Sequence, residues 1–151
     1  MAVTVAPSTE ACTALVDRIN SATTYQLDRL AEYSRVEVDP LEDISGRRID
    51  VVAVEETQLN RTFAIEDSTS HKIVIWIREK LNDLEPETID GLCLLVRQIW
   101  QRVNNFDSAD RRVSVWETDE ETQMTPDKTI LNQMRLFVAK IALRVEVEAS
   151  E

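Results

Sequence analysis

The only histidine in the chain, His71, lies beside Ser68 and Ser70. A hydroxyl, an imidazole and a carboxylate can make a nucleophile when the base reaches the hydroxyl and a third group orients the base. Here the hydroxyls and the imidazole are neighbours in sequence, and no Gly-x-Ser-x-Gly turn presents a serine. The expectation is a solvent-facing His71 at the start of a strand, without a catalytic role. A second test concerns metal-dependent nucleases that place an acidic residue two positions before a lysine. Lys72, Lys80, Lys128 and Lys140 are preceded at that position by Ser70, Arg78, Pro126 and Val138, so the pattern is absent.

Transition metals call for clustered histidine, cysteine and carboxylate ligands, and Cys12, Cys93 and His71 are scattered. The stretch Glu117-Thr118-Asp119-Glu120-Glu121 could attract calcium or magnesium. It lacks the alternating oxygen ligands and central glycine of a calcium loop, and reads as a solvated loop. Asp50 interrupts an apolar strand beside Arg47 and Arg48, which suggests an ion pair at a sheet edge. Gly46 and Gly91, the only glycines, cannot build a glycine-rich phosphate loop. The sequence therefore leads to no expected catalytic residue, metal ligand or cofactor, and to a protein that is not an enzyme.

With 28 acidic against 17 basic residues, the chain carries a formal charge of -11. Affinity for nucleic acid rests on neutralising phosphates, so free DNA should be repelled. That acidity serves solubility, or it forms a wall past which a polyanion slides. Composition leaves both open. No run of about 18 apolar residues spans a membrane, and the start MAVTVAPSTEA lacks the basic and long apolar segments of a secretion signal. The two cysteines are expected as reduced core residues.

The elements that would position these residues follow from periodicity. Pro7 to Asn20 predicts a helix with Cys12, Leu15, Val16 and Ile19 on one face. Tyr25 to Val38 reads as extended chain broken near Glu32, and Asp43 to Gly46 as a short helical turn or loop. Ile49 to Val54 (IDVVAV) and His71 to Arg78 (HKIVIWIR) are apolar on both faces, as strands in the middle of a sheet are. Phe63 and Ile65 in the intervening segment suggest a long hairpin. Pro86 opens a second helix through Val103, with Ile89, Leu92, Cys93, Val96, Ile99, Trp100 and Val103 on one face. Gly91 inside it implies close packing against another element. Val113 to Trp116 is a short strand, Glu117 to Lys128 an acidic loop, and Phe137 to Val147 a strand with one wet face.

The expected fold is thus α+β: a mainly antiparallel or mixed sheet of about five strands with two main helices. Its order is α-β-β-β-α-β-β, with the helices mainly on one side, in a single domain over residues 1–151. Trp100 and Trp76 are assigned to the core, while Trp116 reads equally as core or as interface anchor.

In layout the chain resembles the tail terminator (tail completion) proteins of long-tailed bacteriophages. ACTALVDRIN matches the opening helix, RIDVVAVE and HKIVIWIREK the paired central strands, LCLLVRQIWQRV the second helix, and RLFVAKIALRVEV the closing strand. The resemblance implies a virion protein, assembled in the host cytoplasm, that forms a ring of six copies of itself. Such a ring sits on the tail tube protein, ends tail polymerisation and receives the head–neck stopper or adaptor protein. DNA would pass through it without specific binding. On that reading Glu55, Glu56, Glu66 and Asp67 are candidates for the lumen or the tube contact. Trp116, Glu117, Asp119, Glu120 and Glu121 would face the neck or neighbouring subunits. Another head–tail joining protein, or an acidic protein-interaction module, are the alternatives.

Overall fold

A proline at the first turn starts each of the two long helices, α1 (Pro7–Asn20) and α2 (Pro86–Val103). Its missing N–H falls where the helix has no acceptor to offer, and its fixed φ is already helical. The computed structural model describes residues 5–23, 25, 27, 30–59 and 68–148. Between the helices and after them run five strands: β1 (Glu32–Ser34), β2 (Arg47–Leu59), β3 (Ser68–Lys80), β4 (Val113–Thr118) and β5 (Leu136–Val147). A short third helix, α3 (Lys128–Met134), precedes β5. The class is α+β, as the pattern of elements implies.

The sheet is mixed, in the order β1-β2-β3-β5-β4. All neighbours are antiparallel except β1 and β2, which run parallel. A parallel pair needs a crossover. Residues 35–46 supply it over the face away from α1 and α2, where Asp39 O accepts from Arg78 Nη1 at 2.9 Å and Ile44 is buried.

Period-2 alternation decides the faces. Ile73, Ile75 and Ile77 of β3, Phe137 through Val147 of β5 at every second position, and Ile49 and Val51 of β2 form one layer. Ala11, Cys12, Leu15 and Ile19 of α1, with Leu92, Leu95, Val96, Ile99 and Val103 of α2, close over it. Cys12 is free and buried, and burial pushes its thiol up to about 12. The opposite face carries a smaller cluster of Ile44, Leu136 and Val138, with Trp76 and Ile130 packed against it.

The two helices end side by side, which brings their negative dipole ends together. Each is relieved by an arginine of the other. Arg18 Nε donates to Arg102 O at 3.0 Å, and Arg102 Nε donates to Arg18 O at 3.1 Å.

Several expectations are corrected. Among the described residues of 25–38 only Glu32–Ser34 forms a strand, at the supposed break, and Val36 lies in solvent. Three residues of pairing leave too little pattern to read. Of the two readings of 43–46 the structure has the loop, with Gly46 at φ 71° turning into β2. Helix α3 went unread because a seven-residue helix buries one residue, Leu131, and has no period to show. Its start is nonetheless written in the sequence: Asp127 accepts from the backbone N–H groups of Thr129 and Ile130. Gly91 is exposed, and nothing would meet a Cβ there within 4 Å, so close packing does not explain it. Strand β5 is as buried as β3 and lies inside the sheet, with Leu136, Val138 and Ala142 buried on its supposedly wet face. Trp76 is only half-buried, on the far face, with Lys140 Nζ 5.5 Å from its ring. Phe63 and Ile65 lie outside the described residues.

Candidate functional site

Two acidic stretches far apart in the chain meet on one end of the sheet, on the face opposite α1 and α2. Glu55 of β2 stands opposite Lys72 of β3, Lys72 opposite Arg144 of β5, and Arg144 opposite Glu117 of β4. This four-strand row reads acid, base, base, acid. Like charges directly opposed repel, so the central lysine and arginine need the carboxylates around them. Lys72 Nζ lies 2.6 Å from Glu121 Oε1. Arg144 Nε lies 3.6 Å from Glu117 Oε1, and its Nη2 is 3.7 Å from Asp119 Oδ2. The hydrogen bond to Glu121 raises Lys72 above the ordinary lysine range; burial opposes it, and the charges of Glu121, Asp119 and Glu55 add to the rise.

Backbone bonds fix the same loop. Asp119 N donates to Ala142 O at 2.7 Å, Gln123 and Lys140 exchange backbone bonds, and the Thr122 hydroxyl bonds both backbone groups of Ala142. The acidic loop read as solvated is thus laid down as a continuation of the β4 edge. Glu120 stays exposed.

A β-bulge sits at each flank of this row. One falls between Ala53 and Glu55 in β2, the other between Val115 and Glu117 in β4. The residues inside the bulges, Val54 and Trp116, are 46% and 60% exposed. Trp116 is therefore not core. A bulge kinks its strand and re-aims side chains, and here it leaves an apolar side chain outside each edge. On the far side of β4, Val115 N donates to Phe106 O and Ser108 N to Val113 O, both at 2.8 Å. These bonds cover the first half of that edge and leave Trp116 to Thr118.

His71 is buried on the helix side of β3, which corrects the solvent-facing expectation. The strand starts at Ser68, so His71 is already inside the sheet. Its Nε2 lies 2.7 Å from Thr69 Oγ1 and 3.6 Å from Glu56 Oε1. Burial lowers its pKa from 6.5, and the Glu56 carboxylate pulls the other way. A base whose folded pKa lies below its unfolded one binds fewer protons folded than unfolded. His71 accordingly costs no stability above about pH 6.5 and subtracts from it as pH falls below that value. We expect the thermal midpoint to fall more between pH 7 and pH 5 in the wild type than in His71→Gln. Glu56→Gln should steepen the fall, because it removes the attraction that favours the charged ring. Parallel curves for wild type and His71→Gln would show that His71 does not contribute.

Asp50 is not at an edge. It is 3% exposed, and Arg78 of the neighbouring strand, 1% exposed, donates from Nη2 to its Oδ2 at 2.9 Å. Arg48 adds a longer contact at 3.5 Å. The sequence pointed to the flanking arginines, whereas the true partner lies across the strand pair.

Of the acidic residues singled out in the sequence, Glu55, Glu117, Asp119 and Glu121 gather around Lys72 and Arg144, while Glu56 turns to His71. Glu66 and Asp67 lie outside the described residues. Lys72, Arg144 and Val54 were missed, although the wet face expected of the closing strand includes Arg144. No protein-family model matches the chain, and no curated protein aligns with it at a significant level.

Proposed function

We propose that this protein is a ring-forming structural subunit of a bacteriophage tail, capping the tail tube in the manner of the tail terminator proteins. One observation carries the reading: Glu55, Glu117, Asp119, Glu120 and Glu121 converge on one end of a sheet whose long helices all lie on the other face. Strands of 13 residues make that sheet about 40 Å long. In a ring it forms a wall whose carboxylates outnumber their cations, and a polyanion slides past such a wall without sticking. The helix layer then faces outward. No described helix is long and apolar enough to cross a membrane. The virion location, the tube and neck partners and the six-fold count come from the resemblance in layout.

Pre-formed tail tubes of the matching tube protein supply the test. Added protein should stop further tube elongation and appear as a cap at one end by negative-stain microscopy. Elongation at an unchanged rate, with bare ends, would overturn the reading. Binding to a head-side ring and not to tubes would assign the chain to a stopper or adaptor instead.

A further inference from the structure

The His71 side chain is fully buried, yet its Nδ1 has no hydrogen-bond partner, while Nε2 meets the Thr69 hydroxyl at 2.7 Å. A neutral imidazole carries one donor, and Nε2 can place it. A protonated ring has a donor on both nitrogens, and here the second has nothing to receive it. Burying a donor without its bond is costly, and more so when the group is charged. The closed arrangement thus favours the neutral ring.

Neighbouring groups do little to change that. Glu56 of β2, directly opposite His71, supplies the one charge among the described residues that acts on the ring. It stands 3.6 Å away on the Nε2 side and is half-exposed, so solvent screens it. On β5 the residue opposite His71 is buried Val145. Helix α1 contributes Ser8, and Glu10 in its first turn is held by Arg112 at 3.0 Å. Lys72 and Arg144 belong to the other face of the sheet, with Glu121, Glu117 and Asp119.

Little stands between the ring and solvent. A cleft of about 210 Å³, lined by Ser8 and by Ala53 to Glu56, reaches His71 from the edge of β2. Strand β1 pairs with β2 only as far as Val52, so among the described residues no strand covers that edge from Ala53 onward. Past the bulge at Val54, five pairs hold β2 to β3, from Glu55–Lys72 to Leu59–Ser68. A bulge interrupts the ladder and bends its strand, so these five pairs can part without disturbing those before it.

We infer that His71 is an acid-sensitive latch: when it takes up a proton, the arm Glu55–Leu59 parts from β3 at the Val54 bulge and lets the charged ring reach water, while the rest of the sheet stays paired. The latch belongs to the single chain and is independent of the tail-tube reading. Its size follows from linkage. The imidazole of an open arm titrates near 6.5, and the open form binds a proton that the closed form refuses. Going from pH 7 to pH 5 therefore raises the open population by up to about 25-fold.

Hydrogen exchange of the full chain, followed by mass spectrometry at pH 7 and pH 5 and corrected for intrinsic exchange rates, reads the arm directly. In the wild type, protection of Glu55–Leu59 should fall by about 5- to 25-fold, and that of Ile73–Ile77 should hold. His71→Gln keeps Glu55 and Glu56 but has no ionisable ring, so its arm should be equally protected at both pH values. A proton NMR titration of the wild-type ring needs no variant, and its midpoint should lie below 6.5. Equal losses in wild type and His71→Gln would assign the opening to the carboxylates and overturn the latch. So would a ring that titrates at 6.5 or above, or a loss of protection spread evenly over the arm and Ile73–Ile77.

Discussion

Replacing Asp50 with alanine is expected to destabilise the chain by about 3–5 kcal/mol, because it leaves a guanidinium buried without its carboxylate. Arg78 is 1% exposed, and its shortest ionic contact is the 2.9 Å bond to Asp50. What would remain is the Asp39 carbonyl and the half-exposed Glu42 carboxylate at 3.6 Å. Neither cancels a full charge in that setting. For a domain of this size the loss corresponds to a drop in melting temperature on the order of 10 °C. Removing both charges should cost far less: the pair Asp50→Leu with Arg78→Met is expected within about 1.5 kcal/mol of the wild type, since desolvation largely offsets the attraction in a buried pair. Denaturant titration of the two variants measures both numbers. An Asp50→Ala variant as stable as the wild type would mean that the Asp39 carbonyl and Glu42 suffice to hold Arg78.

That pair marks where sequence reading stops. The largely β-branched run from Ile73 to Ile77, apolar on both faces, makes β3 legible, and the four-turn apolar face of α2 makes that helix legible. Both signals are local. Register is not local: a hairpin makes the two strands neighbours, but nothing in IDVVAV or HKIVIWIR sets the register that puts Asp50 within reach of Arg78. The same gap hides the acidic convergence. Glu55 and Glu117 were each visible as charges on loops or strand ends, but the register that lines them up across Lys72 and Arg144 comes from pairing in the sheet. Bulges escape for a related reason. Val54 reads as one more β-branched strand residue and Trp116 as a strand-end aromatic. Only the partner strand, one residue shorter at each place, shows that both are squeezed out of the ladder. His71 was misjudged because the apolar run begins there, whereas the strand begins three residues earlier among serines and a threonine.

Trp100 connects this core to the end of β4, and its truncation carries the second large effect. The ring is half-buried on α2 against the main cluster, and its Nε1 donates to Thr118 Oγ1 at 2.9 Å. Thr118 ends β4, two residues past Trp116, and its hydroxyl also reaches Asn104 Oδ1 at 3.4 Å. Trp100→Ala removes both the packing and the hydrogen bond, with an expected loss of about 3 kcal/mol, the lower part of the range for large aromatic truncations because the site is partly open. Trp100→Phe keeps most of the packing and should lose only about 1 kcal/mol for the bond. The difference between the two variants therefore separates burial from tethering. Hydrogen exchange at the Asp119 amide, bonded to Ala142 O at 2.7 Å, reads the tether directly. In Trp100→Phe that amide should exchange faster while amides in the middle of β3 stay protected, because the end of β4 loosens before the sheet does. If the Asp119 amide keeps its wild-type protection in Trp100→Phe, the acidic loop and the Lys72 and Arg144 ion pairs fix that edge by themselves, and Trp100 serves the core alone.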